Sequence, residues 1–194
     1  VATMRALKQV DAEWNVDVLR AKTGLSSNYD RVASPLPLIA ALDEALSSKS
    51  TRFWQDRADS AARLQPLLDQ YRALMDQKVA AIERFKSQNS ILRNSSRFLP
   101  VAATDLVEAT RASAAAPALK SDIEQTLNSL LADAMTYSLT PDAQLRERID
   151  AATQQLAQLT APLAEDARER AQTLSAHVAT VLKQQDSGAA LLAQ

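Results

Sequence analysis

The chain has 194 residues, with 22 basic and 23 acidic side chains, a formal net charge of −1 and no cysteine. This balance argues against the one-sided basic excess of a nucleic-acid interface, and the missing cysteines exclude disulfides and thiolate metal sites. Hydrophobic residues make up 46% of the chain, but aromatics only 4% and glycine only two positions. That is the composition of an all-α protein with enough apolar content for a core.

Leu7, Val10, Trp14, Val18 and Ala21 recur at helical spacing and predict a first helix from Ala2 to Gly24. Arg20 flanks this apolar face, and Asn28 falls on the same side if the helical direction continues. Ser26 to Pro37 (SSNYD, then SPLP) reads as a turn-rich connection. A second helix is expected over Leu38–Ser47, and Ser50 or Thr51 would cap a third that carries Phe53 and Trp54. Pro66 suits a first turn or a kink, since it lacks an N–H and fixes φ. From Leu67 to Phe98 nothing interrupts the helical pattern, which gives a rod of roughly 48 Å at about 1.5 Å per residue. Such a rod outruns a small four-helix bundle, so the predicted architecture is elongated, with two stacked helical bundles sharing long helices.

One face of this rod carries Leu67, Tyr71, Leu74, Lys78, Ile82 and Phe85. The same count continues onto Asn89, Leu92, Ser96 and Leu99, so the inward stripe turns polar. A polar group buried without a partner costs about 1–3 kcal/mol, so Asn89 and Ser96 should each have one. An asparagine on a packing seam can fix register and partner number. It can equally bind a ligand, and three other residues support that reading. Asn28 and Tyr29 form a second polar cluster near the end of the first helix, and Arg20 is a possible charge anchor for a carboxylate or sugar hydroxyl. Arg20, Asn28, Tyr29 and Asn89 are therefore the candidate ligand-binding residues.

Beyond Pro100, Thr104, Val107 and Glu108 open a short helix expected to end before Pro117. The next runs from Ala118 to Leu139, with Ile123, Leu127, Leu130, Ala134 and Tyr137 inward. Thr140, ahead of Pro141 and Asp142, is the predicted N-cap of a last long pattern through Leu145, Ile149, Ala152, Leu156 and Leu159. That pattern passes Pro162 as a kink and continues through Leu163, Ala167, Leu174, Val178 and Val181. The tail from Asp186 to Gln194 is expected to fray.

Chemistry-bearing motifs are scarce. His177 is the single histidine, near the Leu174–Val178 stripe, and reads as a partly buried structural residue. Glu165, Asp166 and Glu169 read as a solvated face balanced by Arg168 and Arg170. The inward Glu-x-x-His motif of di-iron bundles and the glycine-rich phosphate loop are both absent. No enzymatic activity, cofactor or metal is expected. No apolar run of about 18 residues is present to span a membrane, and there is no signal peptide. The start at Val1 reads as an excision from a longer protein.

LRAKTGLSSNYD (Leu19 to Asp30) and YRALMDQKVAAIERFKSQNSILRNSSRFLP (Tyr71 to Pro100) resemble the DAHL, or double all-helical ligand-binding, domain. The similarity is strongest over Val16 to Pro100 and rests on an FKxxNxxLxNS pattern of Phe85, Lys86, Asn89, Leu92, Asn94 and Ser95. Arg31 departs from it, standing where the family often has proline. The resemblance implies one extracytoplasmic sensor domain over residues 1–194, in the periplasm, of a VirA-like transmembrane histidine kinase. It further implies a small-molecule ligand or a periplasmic solute-binding protein as partner, a homodimer in the full-length receptor, and membrane attachment through flanking segments. The sensor region of a methyl-accepting chemoreceptor and a structural interaction module are the alternatives.

Overall fold

The computed structural model describes residues 2–23, 30–54 and 58–192, and these form seven α-helices with no strand among them. They are α1 (Ala2–Lys22), α2 (Asp30–Ala33), α3 (Pro35–Trp54), α4 (Ala58–Ala112), α5 (Pro117–Leu139), α6 (Ala143–Thr160) and α7 (Glu165–Leu192). The protein is thus all-α. Its chain divides into two compact units, Val1–Lys86 and Ser87–Gln194, and α4 contributes to both.

α1 and α5 lie close to their predicted ranges, because their apolar spacing is clean and their boundaries are marked. The expected turn region contains a short helix, α2. α3 is one helix where two were expected: Pro35 and Pro37 occupy its first turn, where a missing N–H costs little. The Ser47–Thr51 stretch holds neither glycine nor proline to stop it. α4 is the largest departure from expectation. It runs through Pro66 and Pro100 and absorbs the short helix expected after Pro100. An interior proline costs about 3 kcal/mol. At Pro100 the ring lies exposed, while Leu99 just before it and Ala102, Ala103 and Leu106 after it are buried and hold the helix together.

The inward residues of α4 follow a seven-residue repeat. Leu68, Met75, Ile82, Asn89, Ser96, Ala103 and Thr110 occupy one position; Tyr71, Lys78, Phe85, Leu92, Leu99 and Leu106 occupy the other. Leu67 and Leu74, expected inward, are exposed, because Leu68 and Met75 beside them take the facing positions.

In the first unit the buried residues are Leu7, Trp14, Val18 and Ala21 of α1, Val32 of α2, Ile39 of α3, and Leu68, Ile82 and Phe85 of α4. Lys78 crosses from α4 to α1. It bonds the Asp11 carboxylate, donates to Asn15 Oδ1 at 2.8 Å, and sits 5.3 Å from the centre of the Trp14 ring. Arg72 grips both carboxylate oxygens of Asp43 on α3 at 3.3 Å.

The second unit has one continuous core. Leu99, Ala102, Ala103 and Leu106 of α4 meet Ile123, Leu127, Leu130, Ala134 and Tyr137 of α5, Ile149 and Leu156 of α6, and Leu174, Val178, Val181 and Leu182 of α7. The turn after α4 is closed by Lys120, whose ammonium donates to the carbonyls of Arg111 and Ser113, both at 2.7 Å. That satisfies acceptors which a helix C-terminus otherwise leaves open.

Asp142, not Thr140, is the N-cap of α6. Its carboxylate accepts from the N–H groups of Gln144 and Leu145 at 2.9 and 3.0 Å. Pro162 ends the α6 pattern rather than kinking it, because α7 packs back on α6 and the chain must reverse through residues 161–164. The tail expected to fray is helical as far as Leu192. Within it Asp186 accepts from Tyr137 Oη at 2.5 Å and from Arg146 at 2.9 Å.

Candidate ligand-binding site

α1 and α2 frame a concavity in the first unit. Trp14 is fully buried, and its indole N–H donates to the carbonyl of Val32 at 2.7 Å, which fixes α2 against α1. α1 is closed by Thr23, whose N–H and hydroxyl both donate to Leu19 O at 3.0 Å. α2 is a single turn closed by Ser34, whose N–H donates to Asp30 O at 2.7 Å. Between them lies a shallow cavity of about 540 Å³, lined by Ala12, Glu13, Val16, Asp17, Arg20 and Arg31.

The charges in this cavity are unequally matched. Arg20 pairs with Asp17 at 3.2 Å, and Glu13 accepts from Gln9 at 3.0 Å. Arg31 is exposed and makes no ion pair among the described residues. Its guanidinium presents a planar fork of donors suited to a carboxylate. Val16, 45% exposed, supplies apolar surface beside it. The site can therefore hold a small organic acid, with the carboxylate on Arg31 and the carbon skeleton over Val16 and Ala12. Nearby in the same unit, burial and then the Asp11 and Asp43 carboxylates push the Tyr71 phenol above its ordinary range.

The sequence-predicted residues are distributed as follows. Arg20 lines the cavity. Asn28 and Tyr29 lie outside the described residues. Asn89 belongs to the second unit, where it is 6% exposed on the inward face of α4 and has an interaction partner. Ser96 is half-buried, and the neighbouring Ser95 is the buried hydroxyl instead. The amide oxygen of Gln88 and the hydroxyl of Thr110 are buried on α4 without a partner among the described residues. His177 stacks on Phe98, ring centres 5.7 Å apart and planes 13° from parallel, in keeping with a structural role.

Arg31 is the residue that sequence reasoning passed over. Its signal was present: it follows Asn-Tyr-Asp where the resemblance leads one to expect proline. Lys78 was visible as a cation on an apolar stripe, but its partners are 63 to 67 positions away on another helix.

The family model for the DAHL domain matches residues 1–194. The chain belongs to the DAHL domain family. It is accordingly a sensor domain rather than a catalytic one, and its helical architecture accords with that assignment. No curated protein and no solved structure matches the chain. Among the described residues, no helix of this DAHL domain is long and apolar enough to cross a membrane, and no group of three or more histidine, aspartate or glutamate side chains could hold a metal.

Proposed function

We propose that this DAHL domain is the periplasmic, ligand-sensing part of a transmembrane sensor histidine kinase, and that it recognises a small organic acid in the α1–α2 cavity. The observation that carries the ligand class is Arg31, a cation without an ion-pair partner among the described residues, beside exposed apolar surface. Arg20 adds a second guanidinium whose bond to Asp17 a ligand carboxylate would compete for. Asn89 acts on the polar inward face of α4.

Exposed ion pairs are worth only about 0.2–1 kcal/mol, so the affinity rests on bidentate geometry and on apolar contact as well. Binding biases signalling only through a difference in affinity between two packings of the helices. Packed helices offer such alternatives, with shifts of about 1–2 Å. Flanking segments outside this chain would carry the shift across the membrane, with a homodimer as the signalling unit.

The test uses the full-length protein in membrane vesicles of known orientation. The proposal expects protease to reach this domain from the periplasmic side only, and a ligand acid to change histidine autophosphorylation. A cytoplasmic location of the domain would overturn it. So would an unresponsive kinase under ligand concentrations that saturate the isolated domain.

A further inference from the structure

A second concavity lies in the second unit, in the surface groove between α5 and α6. It measures about 250 Å³ and is lined by Asp122, Gln125, Thr126 and Ser129 of α5 and by Ala152, Gln155 and Leu159 of α6. The α5 residues sit at i, i+3, i+4 and i+7, and the α6 residues at i, i+3 and i+7, so each set occupies one helix face. The helices run antiparallel, with Arg148 of α6 paired to Asp133 of α5 at 2.5 Å. That pair stands one turn beyond Ser129 and Ala152 and closes one end of the groove. Small side chains at Ser129 and Ala152 create the dip.

Three features make this more than a gap between helices. Thr126 is 7% exposed, yet its hydroxyl bonds no group among the described residues, whereas Thr136, Thr153 and Thr160 on these helices each donate to the carbonyl four residues back. The side chains of Asp122, Gln125, Ser129 and Gln155 likewise make no hydrogen bond among the described residues. The local charges are also matched in pairs, Arg148 with Asp133 and Arg111 with Glu124, which leaves the Asp122 carboxylate uncompensated. Lys120 is committed to backbone carbonyls.

We infer that this groove binds a short linear ammonium compound bearing a hydroxyl or amide group along its length. The ammonium meets Asp122 at one end. The two glutamines line the middle, and the Thr126 and Ser129 hydroxyls receive the distal polar group. Asp122 to Ser129 spans about 10 Å of helix at about 1.5 Å per residue, which sets the length of the ligand. Leu159 and Ala152 contact the methylene chain. This ligand has the opposite charge to the acid proposed for the α1–α2 cavity, so the two sites are separable.

The experiment titrates three compounds of equal length into the ¹⁵N-labelled chain: 6-amino-1-hexanol, 1,6-hexanediol and 6-hydroxyhexanoate. Backbone amide shifts are followed by NMR. The inference expects saturable shifts for the amino alcohol, confined to amides around residues 122–129 and 152–159, and none at those amides for the other two; shifts of the hydroxy acid around α1 would belong to the acid site. Asp122→Asn should weaken binding about tenfold, the loss of one charge-assisted bond. Thr126→Val, an isosteric change, should weaken it about threefold to fivefold, a neutral bond's worth. Arg31→Ala should leave it unchanged while abolishing any acid response, so failure at one site is read independently of the other. Equal binding of the diol, amino-alcohol shifts centred on α1, or indifference to Asp122→Asn would each overturn the inference.

Discussion

Replacing Trp14 with phenylalanine tests how the α1–α2 cavity is held together. The indole N–H is the hydrogen-bond donor to Val32 O, at 2.7 Å, and both residues are at most 1% exposed. Phenylalanine keeps an aromatic ring in the space but leaves a buried carbonyl unpaired, at a cost of about 1–3 kcal/mol. The ring also lies under the Lys78 ammonium, an interaction worth about 0.5–1 kcal/mol at a partly exposed site and weaker for phenylalanine than for tryptophan. Together these set a loss of about 2 kcal/mol, with about 4 as the ceiling. The loss should be local, because α2 is one turn long and Trp14 anchors it. Native-state hydrogen exchange is the assay: the Ser34 amide, bonded to Asp30 O, should lose most of its protection while α5 and α6 amides keep theirs. Binding at the cavity should weaken in parallel, since α2 carries Arg31. Unchanged protection of Ser34, together with a midpoint shift worth less than about 0.5 kcal/mol, would refute the reasoning.

The second unit supports three further tests. Leu130→Ala removes a fully buried side chain from its core and should cost about 2.7–5 kcal/mol by chemical denaturation. Asp142→Ala should cost about 1 kcal/mol, because the carboxylate accepts two N–H bonds at the start of α6, and Asp142→Asn should recover most of it. Burial, and then the bond to Asp186, raises the Tyr137 phenol above 10.0, so its folded pKa exceeds the unfolded one. The stability this supplies is complete below pH 10 and lost as pH rises through the folded pKa. Tyr137→Phe should flatten that alkaline limb, leaving the part due to Tyr71, as read by thermal unfolding between about pH 9 and 12.

The helices that could be read from sequence are those whose apolar residues settle register and whose ends carry a stop. α5 shows this: Pro117 opens it, and Ile123, Leu127, Leu130, Ala134 and Tyr137 all face the core as their spacing requires. Proline was the residue type whose effect could not be read locally. Pro66 and Pro100 lie inside α4, while Pro162 stops α6. The difference is tertiary. Burial of Leu99 and Leu106 offsets the lost bond at Pro100, whereas the reversal that lets α7 cover α6 requires a break near Pro162. Register of α4 was ambiguous by one residue for a simple reason: Leu67–Leu68 and Leu74–Met75 each place two apolar side chains next to each other. Asn89 was readable as an inward polar residue because it sits in phase with Ile82 and Phe85. Arg31 was marked only by its place after Asn-Tyr-Asp, and its role was not readable, since that depends on which other charges in the cavity are already paired. That property belongs to the folded arrangement of Asp17, Arg20, Glu13 and Gln9, not to any motif.

The measurement that bears most directly on the sensing account is calorimetric titration of small organic acids into the isolated domain, with Arg31→Ala, Arg20→Ala and Asn89→Ala alongside. The account predicts that an acid binds the wild type and that Arg31→Ala abolishes the heat without lowering the melting temperature. At a ligand concentration of about 100 Kd, the acid should also stabilise the wild type by about 2.7 kcal/mol. Arg20→Ala should weaken binding by less, because Arg20 is already shared with Asp17. An acid that binds equally well to Arg31→Ala, or a wild-type domain that binds none of the acids, would contradict the account.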